Sequence, residues 1–484
     1  MSVKVRDAGL NIDQDFLLPV SVRDWLPQDH LAFFVVDAVS QLDVTEFDRG
    51  RRLDGWGGAS YDPRSMLGVV MYGYMTGVLS SRQLERQCHD SVAFRVAGRG
   101  ITPDHTTIAR FRAGHDHAFT SVFAQVVGLC CQAGLVDMSL IAVDGTKIGA
   151  NASPAQSRTA EELAAMLVAA AERVDMIEDD QEQDGPPVSP PDPGLATPGP
   201  QRLVRIKQAL ADLNREHADA AHDHARVEAD QAARRAEGRP VMGRPARHET
   251  VESRHRANIT DPDSRVMHTA QHTFIPGYNA QIAVVASQVV VAADVFQNGN
   301  DFRLLAPMID QARNTYQQAS GASAGPLTVV ADAGYYTAAN ASIEDTTAWI
   351  PAGNHSTPGH SVDEVAAQND RRLAAARRFN AGVIDARQAS IEAGVSRARF
   401  YQIASKLRKN NNQISPRDEM DQRMATPEGK ALYRRRCVMV EPVFAHIKHN
   451  LGIRHFLRRG LHAVKQEFLI IVTAGNLLKA WRAA

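Results

Sequence analysis

Three acidic residues in three different surroundings are the first candidates for chemistry in this chain. Asp144 follows Leu140-Ile-Ala-Val, Asp332 follows Leu327-Thr-Val-Val-Ala, and Glu441 lies in Val438-Met-Val-Glu-Pro-Val-Phe. Runs of aliphatic and β-branched residues leading into Asp and Gly describe buried strands that end, or open, at a polar position. A carboxylate carried into an interior needs a cation or hydrogen-bond donors, so two strand-end carboxylates point to a divalent metal site held by oxygen ligands. The competing reading is that each Asp is a turn former before glycine. From Lys430 to Lys465 there are nine Lys or Arg residues, and Glu441 is the single acid among them. Such a segment suits a polyanion, with one carboxylate held for another task. Metal binding is one such task; an ion pair with Arg436 or Lys448 is the alternative.

The elements that must position these groups read as follows. Residues 16–135 carry apolar residues at three- and four-residue spacing, as in Leu31 to Val39 and Met66 to Leu79, and predict a helical module. Its turns fall at Asp54-Gly-Trp-Gly-Gly and Asp62-Pro. Ten arginines and five acids lie between Arg49 and Arg112. Arg110 and Arg112, near the helix start at Thr102-Pro-Asp-His, are candidate DNA contacts. His105, His115 and His117 lack Cys or carboxylate partners at zinc-ligand spacing.

After Asp144 an acidic helix spans 160–182, seven prolines fall between Gly185 and Pro200, and a heptad-like seam runs through Leu203, Ile206, Leu210 and Leu213. Together these predict a helical hairpin inserted into another domain. From Tyr278 two strands flank a turn at Ser287-Gln288, a helix follows from Asp301 to about Gln318, and the strand at 327–331 comes next. Asp294, inside the second of these strands, is a rival carboxylate. Gln388-Ala-Ser-Ile-Glu-Ala-Gly-Val-Ser-Arg-Ala-Arg-Phe-Tyr-Gln-Ile has the pattern of a helix-turn-helix, with Gly394 at the turn and Arg397, Arg399, Tyr401 and Gln402 facing DNA. A plain helical hairpin fits the same pattern.

Several strings in order carry a family resemblance. Val143-Asp-Gly-Thr-Lys, Ala331-Asp-Ala-Gly-Tyr-Tyr and Val440-Glu-Pro-Val-Phe-Ala-His-Ile-Lys resemble the catalytic motifs of the DDE transposases of bacterial insertion sequences. Tyr61-Asp-Pro-Arg, Tyr72-Gly-Tyr, Ser80-Ser-Arg-Gln-Leu-Glu, Phe94-Arg and Pro103 to Arg112 resemble the InsH-type N-terminal transposase domain. Asn258-Ile-Thr-Asp-Pro-Asp-Ser, Gly277-Tyr-Asn-Ala-Gln-Ile and Arg458-Arg-Gly-Leu extend the likeness.

The resemblance implies an α/β fold: an RNase H-like mixed sheet with helices, preceded by an all-α N-terminal domain and interrupted by a helical insertion. It implies a DNA-binding domain over 1–135 and a catalytic domain over 136–154 and 251–484; the residue pattern, not the resemblance, gives the insertion over 155–250 and the helix-turn-helix over 384–408. Asp144, Asp332 and Glu441 are the implied catalytic triad and ligands of two Mg²⁺ ions, or of Mn²⁺. Tyr433, Arg436 and Lys448 fill the family's Tyr, Arg and Lys positions around the Glu, although four residues rather than three separate Arg436 from Glu441. They and Lys147 are expected at DNA phosphates. The implied activity is cleavage and strand transfer of insertion-sequence ends. A catalytically silent DNA-binding regulator and an RNase H-like nuclease without strand transfer are the alternatives.

The implied partners are double-stranded DNA, as terminal inverted repeats and target, and further copies of the chain in a dimer or higher oligomer. Composition is compatible with this. The chain has 484 residues, 44% of them hydrophobic, and a net charge of −1 that hides basic segments and an acidic insert. Cys88, Cys130, Cys131 and Cys437 form no Cys-x-x-Cys pair and read as buried thiols of a reducing cytoplasm. No signal peptide or membrane segment is expected. Pro442 predicts either a kink after Glu441 or a helix starting there.

Overall fold

The computed structural model describes residues 24–49, 60–182, 199–236, 256–269, 272–352, 362–409 and 416–484. The glycine-rich turn after Asp54 and nearly all of the proline-rich connector lie outside the described residues. The chain divides into two units, residues 1–118 with 477–484, and residues 119–476. No helix among the described residues is long and apolar enough to cross a membrane.

The first unit is helical: α1 (Leu31–Ser40), α2 (Pro63–Met75), α3 (Ser81–Asp90), α4 (Val92–Ala97) and α5 (His105–Ala113). Side-chain caps start four of these helices, His30 capping α1 through Ala32 N at 3.1 Å. Asp62 accepts from Ser65 N at 3.1 Å ahead of the N1 proline of α2, Ser80 from Gln83 N at 3.2 Å, and Asp104 from Thr106 N and Thr107 N at 2.8 and 2.9 Å. Almost every residue of α2 is buried, and its glycines permit close helix contact. A Cβ on Gly68 would lie 2.1 Å from the carbonyl oxygen of Ala97 in α4. Gly68→Ala gains about 1 kcal/mol of helix propensity but forces backbone apart, at a cost of about 1–3 kcal/mol or more. A net fall in the urea midpoint is therefore expected.

Arg112 corrects the sequence reading. It is buried and donates to Tyr74 Oη at 2.9 Å, to Leu79 O at 2.7 Å and to Ser81 Oγ. Its guanidinium is spent tying the helices together, because the backbone and hydroxyl acceptors of this turn need a donor. Arg110, by contrast, is exposed.

The second unit holds a mixed α/β fold. After α6 (Asp116–Gln132) come β1 (Leu140–Gly149), β2 (Ser157–Arg158), α7 (Ala160–Glu182), α8 (Pro200–Ala236), β3 (Ala257–Asn258), β4 (Arg265–His268), β5 (Phe274–Val285) and β6 (Val290–Phe296). Then follow α9 (Leu305–Ser320), β7 (Leu327–Ala331), α10 (Ala338–Ala341), β8 (Thr346–Trp349), α11 (Val362–Asn380), α12 (Ala386–Glu392), α13 (Arg397–Lys409), α14 (Pro416–Ala425), α15 (Pro427–Ala445) and α16 (Leu461–Ala483). The main sheet runs β4-β5-β1-β7-β8, with β6 also paired to β5. β5 is antiparallel to β1, β4 and β6, whereas β7 is parallel to both β1 and β8. Helices α9 and α15 pack on this sheet.

The insertion is a pair of long helices closed at its base by β2 and β3. Its core is local: Leu163, Ile206, Ala209, Leu213, Ala257 and Ile259 are buried together. No described residue of α8 beyond Leu213 is buried, consistent with apolar positions giving way to His and Ala along the seam.

Three family strings that carry no obvious chemistry meet in one clamp. Tyr278 Oη donates to both oxygens of the buried Asp261 at 2.8 and 2.9 Å, and Gly460 N donates to Asp261 at 3.1 Å. Leu461 N donates to Asp263 at 2.7 Å. The segment before α16 is thereby pinned to the sheet. Arg454 O accepts from Gly149 N at 3.0 Å, and Phe456 N donates to Gly149 O at 2.9 Å, so the same segment extends the end of β1.

Candidate active site

Asp144 and Asp332 arrive side by side through strand pairing. The parallel register matches Val143 with Ala331, and each Asp is the next residue. One oxygen of each carboxylate is held by a local backbone donor, Gly145 N to Asp144 at 2.8 Å and Gly334 N to Asp332 at 2.9 Å. Asp332 does cap a short 3-10 turn, Ala333–Tyr335, whereas Asp144 lies within a continuing strand. β1 continues through Gly145 to Gly149, paired with β5 throughout. Gly145 is required because a Cβ there would lie 2.0 Å from Gln281 Nε2.

The pleat sends Asp144 and Thr146 to one face and Gly145 and Lys147 to the other. On the Asp144 face, Arg436 Nη1 of α15 donates to Asp144 Oδ2 at 2.7 Å and its guanidinium lies 5.2 Å from the Tyr433 ring. Lys448 Nζ reaches Thr146 Oγ1 at 2.5 Å and Lys147 O at 3.1 Å. On the other face Lys147 Nζ lies 3.5 Å from Asp301. Asp301 also accepts from Asn279 at 2.7 Å and Gln281 at 2.8 Å, and Tyr335 Oη donates to Gln281.

Asp301 is the residue that sequence reasoning missed. The helix expected from Asp301 starts only at Leu305, which leaves Asp301 in a loop against the sheet end. The signal was present in β5, where Asn279 and Gln281 are fully buried amides that demand partners.

Charge in this cluster does not balance. Asp144, Asp301 and Asp332 face Arg436 and Lys147, three negative groups against two positive. Burial pushes the pKa of Asp144 up to about 6; Arg436 pulls it down, and Asp332 and Asp301 add to the rise. Burial likewise raises Asp332, opposed by Arg436. Burial lowers Lys147 and Lys448. Hard carboxylate oxygens around an uncompensated negative charge are the donor chemistry that Mg²⁺ or Mn²⁺ requires, and Arg436 stands where a cation is wanted.

Glu441 is not part of this group. It is exposed on α15 and hydrogen-bonded to Cys437 one turn earlier. Among the described residues no three His, Cys, Asp or Glu side chains surround one metal position. Of the three expected carboxylates, Asp144 and Asp332 stand on neighbouring strands and Glu441 stands apart. The inward face of α15 carries Arg436, Val440 and Val443, and Glu441 lies about 140° around the helix from Arg436.

No helix starts at Pro442. α15 continues through it and passes into a π-helical turn, His446–Asn450, that carries Lys448. Proline leaves the Val438 carbonyl without its helical donor, and Gln288 Nε2 fills that place at 3.1 Å. The half-turn of the β5–β6 hairpin, with Gln288 at φ 68°, thereby grips the helix that bears Glu441.

The remaining candidates divide cleanly. Arg434 and Arg435 are exposed, and Arg436 alone turns inward. Asp294, the rival carboxylate, is paired with Lys465 at 2.8 Å. Arg397 and Arg399 are exposed on α13, within a separate three-helix packing. Cys88 and Cys130 are buried, whereas Cys131 and Cys437 are half-exposed.

A mixed α/β unit with carboxylates on neighbouring parallel strands beside a cationic helix is suited to phosphoryl transfer on a polyanion. Comparison with protein families makes this specific. Residues 20–114 match the family described as transposase domain (DUF772), and residues 397–481 match the transposase DDE domain. No curated protein and no solved structure gives a match. The two matched domains indicate a DDE-type transposase of the insertion-sequence kind, acting on DNA.

Proposed function

We propose that this transposase cuts the ends of its own element and joins them to target DNA in a metal-dependent reaction. The observation that carries the reading is the adjacency of Asp144 and Asp332 on parallel-paired strands, with Arg436 in direct contact. The strand order β6-β5-β1-β7-β8, antiparallel in its first half and parallel in its second, supports an RNase H-like catalytic domain.

Asp144 and Asp332 would hold divalent ions, Mg²⁺ or Mn²⁺, with Glu441 as third carboxylate. For Glu441 to join the pair, α15 would have to turn about its axis when DNA takes Arg436 from Asp144, since its side chain stands exposed about 140° around the helix. When bound, the ions supply activation of a water or 3′-hydroxyl and stabilisation of the leaving oxygen. Lys448 and Tyr433 border the scissile phosphate, and Lys147 with Asp301 fixes the floor beneath Gly145. The helical N-terminal unit offers Arg110 to the terminal repeat. Two element ends cut and joined together imply at least two copies of the chain on DNA.

The test is an assay with purified protein, a duplex carrying both flanking ends and a target plasmid. Joined products are expected with Mg²⁺ or Mn²⁺ and none with chelator; Glu441→Gln should lose joining while still shifting the duplex in a gel. Nicking without any joined product would favour a nuclease. Retention of activity by Glu441→Gln would remove that residue from the mechanism.

A further inference from the structure

The segment between β8 and α14 is a second folded module with its own interior. Leu373, Ala375 and Ala376 of α11, Ile384, Ala389 of α12, Ala393, and Phe400 and Ala404 of α13 are buried together, with Phe379 meeting Phe400 edge-on at 5.4 Å. Asn380 Nδ2 donates to Ala404 O at 3.0 Å, and Arg378 pairs with Glu392 at 2.8 Å. Between α12 and α13 the chain turns over four residues, Ala393 to Ser396, and Gly394 takes φ 62°, a left-handed value that suits glycine. Asp385 caps α12 through Arg387 N and Gln388 N, both at 2.8 Å.

The face that this packing leaves outward is not a random solvated surface. Arg397, Arg399, Tyr401 and Gln402 are all exposed on the first turns of α13, and Arg387 and Gln388 are exposed at the start of α12. Arg399 Nη1 donates to Gln402 Oε1 at 3.2 Å, so these two side chains lie together on the surface. Residues 371–405 contain seven arginines and two acids. Both acids are engaged, Asp385 in its cap and Glu392 with Arg378. An unopposed positive face, with forked guanidiniums and an amide on one short helix, complements a phosphate-lined groove and the base edges within it.

We infer that α12 and α13 form a helix-turn-helix that reads duplex DNA of the element's own ends, with α13 in the major groove and the start of α12 on the backbone. Arg397 and Arg399 address guanine edges, Gln402 an adjacent base, and Arg387 a phosphate. This second reading head is separate from both the helical N-terminal unit and the carboxylate site. The DDE-domain match begins at Arg397, so α11 and α12 lie outside it.

Full-length protein tests it by fluorescence anisotropy on two duplexes at fixed moderate salt, one from the flanking end and one of shuffled sequence. Each arginine reading a base is worth about tenfold or more in affinity. Arg397→Ala with Arg399→Ala should therefore lose about a hundredfold or more on the end duplex, and far less on the shuffled one. Guanine N7 protection within the end should disappear in the same variant. Gln402→Ala should alter preference at one position only, and circular dichroism should be unchanged because all three residues are exposed. Unchanged affinity overturns the proposal, as does equal loss on the two duplexes or guanine protection that persists in the double variant.

Discussion

Asp144→Asn is expected to stabilise the metal-free protein while reducing cleavage by about a thousandfold or more. The two effects have one cause. Asp144 has a folded-state pKa of about 6 against an ordinary value of 3.8, so its ionised form is disfavoured in the fold by about 3 kcal/mol. Because the folded value is raised, the native state holds more protons than the unfolded chain between about pH 4 and pH 6. Stability due to this group is present at the acidic end and lost as pH rises across that window.

Asparagine keeps the shape and removes the charge, although it leaves Arg436 facing a neutral partner, which offsets part of the gain. A net increase of about 1–2 kcal/mol at pH 7.5 is expected, shrinking as the pH falls through 6 and gone near pH 4, where Asp144 is protonated in the fold and half protonated in the unfolded chain. Melting curves of both proteins at the two pH values, in chelator, measure it. A variant less stable than wild type at pH 7.5 would show that the Arg436 contact outweighs burial and repulsion. Addition of Mn²⁺ should raise the wild-type melting temperature and leave the variant nearly unmoved.

The site was partly legible from residues alone, for reasons that separate its members. Asp144 and Asp332 sit in apolar runs of strand length, and β-strand burial is a local property that a few neighbours determine. Their adjacency needed only the order of strands. Glu441 stood out by type, one acid among nine bases, but its direction did not. Helix phase is set by which side chains the sheet accepts, here Met439, Val440 and Val443, and by the π turn that follows.

Asp301 was hidden for a different reason. Its partners are Lys147 and the amides of Asn279 and Gln281, the nearer of them 20 residues away. Polar pairing over such separations leaves no periodic trace. Arg112 shows the reverse error: an arginine in a basic stretch reads as a surface group until burial and three acceptors are seen. Composition reports charge and cannot report exposure.

Arg436→Ala should change three measurements at once. The guanidinium is 11% exposed and Asp144 is 18% exposed, so their 2.7 Å pair is shielded from solvent. Removing one partner of such a pair costs about 3–5 kcal/mol when the other must stay charged. Asp144 can instead take a proton, since Arg436 is the main influence holding its pKa down against burial. The penalty is therefore expected to be largest at pH 8, to shrink as the pH falls through 6, and to be small at pH 5, where the carboxylate is protonated in either protein. Added Mn²⁺ should rescue the variant at pH 8, with a larger thermal shift than in wild type, because no cation has to leave Asp144 first. Binding of the flanking-end duplex should weaken as well, since the displaced guanidinium is the group assigned to a phosphate. An equal Mn²⁺ shift in both proteins would mean that the ion and the guanidinium do not compete for Asp144, and the exchange of Arg436 between carboxylate and DNA would have to be given up.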